Sequence, residues 1–405
     1  MKILLVNKFL YPKGGAETYT LRLGEYLKFA GHEVQYFGMY DDKNTVFNSA
    51  GKYTKNMDFH SSGAERFLYP LRIIYSFDAK KKIGRVIEDF MPDIIHMNNI
   101  NFQLTPSIID EAAKRKVPVV QTVHDLQMLC PNHLMFSGKT KSPCEKCLNG
   151  SKLNCVRGRC IHGSLLKSII GTLEAWLYTI KKTYLKVDRF ICPSSFIEGK
   201  LLERKRFGRH IYRGRTAAVH NFMEMPLAGE CEKGDYVLYF GRLSEEKGIN
   251  MLAEVCRMLP DIKFIIAGTG PDEHAFDDIK NAEFVGFKTG EELSRLIAGA
   301  RFSVYPSVWY ENCPLSVLES EALGTPVICT ALGGLPELVE DGVTGRIIKS
   351  VTKDALADAV RELYYDEELC GRMSANCKNK RTEMMTLKKY GEIIENIYAD
   401  VLKLN

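Results

Sequence analysis

The stretch KILLVNKFLYPKGGAETYTLRLGEYLKFAGHEVQYF, residues 2–37, decides the fold class. Ile3-Leu-Leu-Val6 is a short unbroken apolar run, as found in strands buried on both faces of a parallel sheet. Tyr11-Pro-Lys-Gly-Gly-Ala-Glu17 follows as a glycine-bearing loop. Leu21, Leu23, Tyr26 and Leu27 then form a helical pattern that ends at Gly31, and Val34-Gln-Tyr-Phe37 reads as the next strand. Strand, glycine loop, helix and strand in that order make a βαβ unit.

The same rhythm continues along the chain. Helices are expected at 83–90, 106–116 and 195–204, with strands at 93–96, 117–123 and 189–192 and a long helical region at about 164–186. A boundary falls near 221–234, marked by Pro226, Gly229 and Gly234. Beyond it, strands are expected at 236–240, 263–267, 282–285, 302–305 and 326–329, and helices at 247–258, 290–298 and 314–323. Two consecutive α/β series predict two doubly wound, Rossmann-like domains facing each other across a cleft. The first covers 1–222, with a cysteine-rich insert at about 130–162, and the second 223–385; a closing helix over 386–405 is expected to pack back on the first.

Composition sets the class. The 405 residues are 45% hydrophobic and 26% charged, ordinary values for a globular protein. The apolar run at the N-terminus stops at Lys8, too short for a signal peptide, and no stretch of about eighteen apolar residues could span a bilayer. A cytoplasmic chain is therefore expected, in which twelve cysteines serve as thiols or metal ligands and not as a disulfide framework. The net charge of +5 conceals an asymmetry: residues 1–222 hold 35 Lys and Arg against 19 Asp and Glu, whereas the rest hold 20 against 31. Balances of +16 and −11 imply that the first half faces something anionic.

The strongest chemical signal is Glu311-Asn-Cys-Pro-Leu-Ser-Val-Leu-Glu319, two carboxylates eight positions apart with the second inside a helix starting near Pro314. Proline suits a first helical turn, and the free amides of that turn can receive a phosphate or sugar oxygen. Gly324-Thr-Pro-Val327 and Gly333-Gly-Leu-Pro-Glu337 follow. Arg242 and Lys247 come just after the first strand of the second series, where two cations can neutralise a diphosphate. Alone, such a pair is ordinary surface composition. Gly14-Gly15 either makes a tight bend or lets backbone amides approach an anion. No Gly-x-Gly-x-x-Gly is present, which argues against a nicotinamide dinucleotide site. His124 ends a strand whose terminus would face the cleft, and His96 reads as a structural strand-end residue.

Taken in order, these motifs resemble those of the GT-B retaining glycosyltransferases of family 4 (glycosyl transferases group 1). The resemblance runs through the Gly14-Gly15 loop, Pro92-Asp-Ile-Ile-His96, Thr122-Val-His124-Asp125, Asn221, Gly241-Arg-Leu-Ser-Glu-Glu-Lys247-Gly, Ala267-Gly-Thr-Gly270-Pro, Val285-Gly-Phe287 and the Glu311–Glu319 segment. It implies transfer of a hexose-type sugar, with retention, from a UDP- or GDP-type donor to a glycan or lipid-linked acceptor. On that basis Arg242 and Lys247 bind the donor phosphates, Glu319 holds the ribose hydroxyls, Glu311 approaches the transferred sugar and His124 contacts it. Gly14, Gly15, Phe287, Asn312, Cys313, Pro314 and Leu315 complete the implied donor site. No Asp-x-Asp stands at a strand end, so transfer without a metal cofactor is expected.

Two features stand outside the resemblance. Cys144-x2-Cys147-x7-Cys155-x4-Cys160 has nearly the spacing of a structural zinc knuckle, set in a loop that cannot build a core; the alternative is a set of reduced, unliganded thiols. The run Lys200–Arg215 holds seven cations and one anion, and the helical region before it interleaves Lys167, Lys181, Lys182 and Lys186 with Leu165, Leu166, Ile169, Trp176, Leu177 and Tyr178. This is either a solvated basic face or a surface that docks on an anionic bilayer. Competing functions are a GT-B nucleotide-sugar epimerase and a zinc-containing nucleic-acid binder. An acidic second half and the lack of a recognition helix argue against nucleic acid as a partner.

Overall fold

The computed structural model describes residues 1–55, 72–224 and 231–404. Pro226 and Gly229, two of the three boundary markers, lie outside the described residues. The chain forms two compact units: Met1–Lys139, Cys144–Asn221 and Leu387–Asn405 make one, and Thr140–Pro143 with Phe222–Thr386 the other.

The first unit is built on six strands: β1 (Lys2–Val6), β2 (Glu33–Phe37), β3 (Ile94–Met97), β4 (Val119–Thr122), β5 (Arg189–Cys192) and β6 (Thr216–Ala218). Their order is β6-β5-β4-β3-β1-β2, every pair parallel, with Ile3 opposite both Val34 and Ile94. Ile3 to Val6 are fully buried, as expected for a strand covered on both faces. Chain order reverses between β1 and β3, so the loops after these strands meet at a topological switch point. Serine starts three of the flanking helices: Ser76, Ser164 and Ser194 accept from the backbone amides of Ala79, Lys167 and Ile197 and open Phe77–Phe90, Leu165–Ile180 and Ser195–Glu203.

The expected long helix at 164–186 is broken. It ends at Ile180, Lys182 adopts φ 53°, and Thr183–Lys186 forms a separate 3₁₀ turn. Just past the break Thr183 is buried and donates to Asp110 Oδ1 at 3.0 Å.

The last helix, Leu387–Leu404, belongs to the first unit. Tyr390, Ile394, Tyr398 and Val401 form its buried stripe at i, i+4, i+8 and i+11. Its Glu395 accepts from Tyr26 at 2.9 Å and lies 2.7 Å from His32 Nε2.

The second unit repeats the design with β7 (Val237–Phe240), β8 (Phe264–Ala267), β9 (Ala282–Gly286), β10 (Phe302–Tyr305), β11 (Val327–Thr330) and β12 (Gly345–Ile348), in the order β9-β8-β7-β10-β11-β12. Alternate residues of β7 feed two cores, Val237 and Tyr239 on one face and Leu238 and Phe240 on the other. The switch point lies between β7 and β10, which places Gly241–Lys247 beside Pro306–Glu311. Both units are thus doubly wound and Rossmann-like. Among the described residues no helix is long and apolar enough to cross a membrane.

Candidate functional site

In the second unit the structure brings Lys247 and Glu311 together at the switch point. Lys247 ends a short 3₁₀ turn after β7, and Glu311 lies in the loop between β10 and helix Leu315–Ala322. Lys247 Nζ donates to both Glu311 oxygens, at 2.7 and 2.9 Å. Glu311 Oε1 also accepts from Ser307 Oγ at 2.5 Å and Trp309 Nε1 at 2.8 Å. Burial pushes this carboxyl up, but the Lys247 charge and these hydrogen bonds outweigh it and hold Glu311 below the usual carboxylate range. The lysine ammonium lies 5.3 Å from the centre of the Trp309 ring, so its stem is held on two sides. Two glycines permit the approach. A Cβ on Gly248 would fall 1.9 Å from the Pro306 carbonyl oxygen, and one on Gly333 2.0 Å from that of Glu311. Arg242 is exposed, and its guanidinium has no partner among the described residues.

Helix Leu315–Ala322 opens with Pro314 at its N-cap, one position earlier than a first-turn proline. The amides of Leu315 and Ser316 have no carbonyl within the helix to pair with. Two neighbouring carboxylates on this helix have opposite surroundings. Glu321 is fully buried and tied to Lys380 at 2.9 Å and Thr344 at 2.6 Å, a structural role. Glu319 has no hydrogen-bonded or ion-paired partner among the described residues, and burial raises its carboxyl. Cys313 is buried in the core and can offer a ligand only its backbone, while Leu315 is half-buried against the same cluster. Phe287 follows the edge strand β9, two strands from the switch point, and is 70% exposed.

In the first unit Gly14 is the extended N-cap of helix Gly15–Phe29. That turn already holds a carboxylate: buried Glu17 accepts from Asn7 Nδ2 at 3.2 Å, and a Cβ on Gly14 would lie 3.2 Å from its Oε2. Lys8 donates to Asn101 Oδ1 at 3.0 Å, and burial lowers its ammonium against the pull of Asp125 and Glu17. His124 Nε2 lies 3.1 Å from Asn98 Oδ1, and its ring meets Tyr19 edge to face at 5.1 Å. Burial pushes His124 down to about 4, so it is a neutral imidazole at pH 7.

Beneath it runs a polar chain that sequence reasoning missed. His96 sits between Thr122 Oγ1 at 2.7 Å and the Tyr398 hydroxyl at 2.6 Å; the Tyr19 hydroxyl bridges Thr122 at 3.1 Å and Tyr390 at 2.7 Å. Burial lowers His96 to about 3. Ser307 and Trp309 were also missed, although one of only two tryptophans lying two residues before Glu311 was a usable signal.

The zinc knuckle is not assembled. Cys147 Sγ donates to the Ser151 carbonyl at 3.8 Å, and Cys144, Cys147, Cys155 and Cys160 are all free thiols. Among the described residues no three His, Cys, Asp or Glu side chains come together to hold a metal. The loop has another source of order. Lys152 is 5% exposed, donates to the Leu129 and Cys147 carbonyls, and is lowered by burial to about 8.

Comparison with known proteins follows the two units. The family model Glycosyltransferase Family 4 matches residues 13–222, and Glycosyl transferases group 1 matches 228–380. The chain is 26% identical over 361 residues to an uncharacterised 42.6 kDa protein in the cps region of Klebsiella pneumoniae, covering 84% of this chain and 87% of that one. It is 31% identical over 176 residues to the alpha-D-kanosaminyltransferase of Streptomyces kanamyceticus, a stretch that covers 41% of this chain and only 45% of that relative. The crystal structure of Anabaena HepE in complex with UDP superposes with a TM-score of 0.68 at 16% identity, covering 99% of this chain and all of the other; this likeness shows the GT-B fold.

Proposed function

The chain belongs to glycosyltransferase family 4, and from that premise we propose that it moves a hexose-type sugar, with retention, from a UDP- or GDP-type donor to a glycan or lipid-linked acceptor in surface polysaccharide or glycolipid synthesis. The observation that carries this reading is the cation pair at the switch point of the second unit: Lys247 fixed by Glu311, with Arg242 exposed five residues before it. There the two cations stabilise the charge that grows on the departing nucleoside diphosphate. Amides at the start of helix Leu315–Ala322, after Asn312 to Pro314, take phosphate or sugar oxygens, and unpartnered Glu319 accepts from the ribose hydroxyls. The UDP bound by HepE supports a donor of this type.

Glu311 does not act as a nucleophile, because one oxygen takes three hydrogen bonds and the other a fourth. Its part is to hold Lys247 beside the transferred sugar. The sugar–phosphate bond therefore loosens toward an oxocarbenium-like state, and the acceptor hydroxyl attacks from the same face, giving its proton to a donor phosphate oxygen. In the first unit, neutral His124 hydrogen-bonds the sugar, and the Gly14-Gly15 turn, with Lys8 and Lys13 near it, meets the diphosphate and the acceptor. Phe287 contributes at the rim of the donor site. The reaction needs no metal ion, the cations standing where one would act, and the basic half places the enzyme on an anionic membrane surface at the cytoplasmic face.

The test is a binding and turnover screen against UDP-, GDP- and ADP-sugars, run in parallel with EDTA and with added divalent metal. Binding and slow hydrolysis of one donor class, and an α-linked product from an α-linked donor, are expected. An inverted product, strict dependence on added metal, or no binding of any nucleotide sugar contradicts the reading.

A further inference from the structure

Helix Leu165–Ile180 is packed inside out. The face it turns to the protein is Ser168, Gly171, Thr172, Glu174 and Tyr178, all buried. The face it leaves to solvent is Leu165, Leu166, Ile169, Leu173, Trp176 and Ile180, from 37 to 73% exposed. At 100° per residue these six fall within an arc of about 100°, on the side opposite the buried set. An ordinary surface helix does the reverse. A contiguous apolar stripe of four turns on a water-facing helix marks an interaction surface.

A neighbouring element adds to it. Lys205–Arg206 and Arg209–His210 form a small antiparallel hairpin whose turn, Phe207-Gly208, has positive φ at both residues. Arg206 donates to the Thr179 carbonyl at 3.0 Å, which ties the hairpin to the end of the inverted helix. Phe207, at its tip, is 93% exposed. Lys167 and Lys182 on or beside the helix, and Lys205 and Arg209 in the hairpin, have no ion-pair partner among the described residues; Lys181 and Lys186 are already paired with Asp110.

We propose that the exposed stripe of helix Leu165–Ile180, together with Phe207, inserts into the interfacial layer of an anionic lipid bilayer. The helix lies in the membrane plane, its aliphatic side chains and Trp176 enter the headgroup–acyl boundary, and Lys182, Lys205 and Arg209 at the end of the stripe meet lipid phosphates. Charge selects this occupant over a second copy. A two-fold contact would set the same cations of two protomers against each other, whereas anionic lipid neutralises them. The inference rests on the reading that the basic half meets a membrane, and it replaces purely electrostatic docking by insertion. It does not depend on the donor chemistry.

The experiment uses full-length protein carrying Trp309→Phe, so that Trp176 is the one fluorophore of its kind, and vesicles of phosphatidylcholine with or without phosphatidylglycerol. With the anionic lipid, Trp176 emission should shift to the blue and be quenched by bromine on the acyl chains. Leu166→Gln, Leu173→Gln and Ile180→Gln together should weaken vesicle binding by about 10²-fold or more. Because these side chains face water, the triple variant in an otherwise native background should keep the parent's melting temperature and donor hydrolysis. Binding that persists in the triple variant with no blue shift overturns insertion. So does concentration-dependent dimerisation of the parent, without lipid, that the triple variant abolishes. Failure of donor hydrolysis in the parent counts against the enzymatic reading and leaves this one standing.

Discussion

Lys247 has three protons to offer, and Glu311 engages it through both oxygens, which leaves one donor direction for a ligand anion. Arg242, by contrast, is exposed and uncommitted, so the two cations should respond differently to removal. Arg242→Ala should lower turnover by about 10²-fold with no change in melting temperature, because it takes away only charge stabilisation of the transition state. Lys247→Ala should cost a similar factor and also destabilise the protein by about 3–5 kcal/mol, because it strands a buried carboxylate. Parallel kinetics and thermal melts separate the cases; equal melting temperatures for the two variants would show that the ion pair does not hold the site. The sequence pointed to both partners, yet not to their pairing. They stand 64 residues apart, and only the reversal of strand order between β7 and β10 makes them neighbours. Glu319 was singled out in the sequence by its motif; what sets it physically apart from Glu321 is the presence of Lys380 and Thr344 beside Glu321 alone.

Elements with a strong apolar run were legible to within a residue or two, as at β5, β7 and β10, because a buried strand leaves little else for such a run to be. Thr216–Ala218 and Gly345–Ile348 were missed. Both close their sheets at an edge, where small or polar residues suffice. Helices Lys353–Tyr365 and Glu367–Lys380 were also unread; the second is mostly polar with a narrow buried stripe of Cys370, Met373 and Cys377, whereas the first carries a clear apolar face that was passed over. Two helical glycines show how packing can reverse a propensity. At Gly371 an added methyl group would meet nothing within 4 Å, so Gly371→Ala should stabilise by about 0.5–1 kcal/mol. Gly391, on the last helix, would put a Cβ 2.1 Å from the Tyr26 ring. There the same gain in propensity is outweighed by overpacking, and Gly391→Ala should destabilise by about 1–3 kcal/mol. Denaturant titrations of the two variants check the opposite signs.

Across the whole molecule, the first unit is made from both ends of the chain. Ending the protein at Thr386 would strip Tyr398 from His96 and Tyr390 from Tyr19, and would uncover the apolar surface that Ile394 and Val401 close. Each buried polar group left unpaired costs about 1–3 kcal/mol, and burial of the helix stripe is lost as well. Against a total stability of about 5–15 kcal/mol, that should unfold the first unit. Circular dichroism and limited proteolysis of the truncated chain check this; a truncated protein that melts as cooperatively as the parent contradicts it. The same feature sets an order of events on the ribosome. Residues 1–221 emerge long before their last helix is made. At roughly 5–20 residues per second, some 180 further residues take about 9–36 s to translate. Through that interval the nascent first unit waits with an open seam over Tyr19 and His96, while the other unit, whose segments all precede Leu387, can finish folding first. The half of the enzyme that is synthesised first is therefore the half that matures last, and its window of exposure to chaperones is written into where the closing helix sits in the gene.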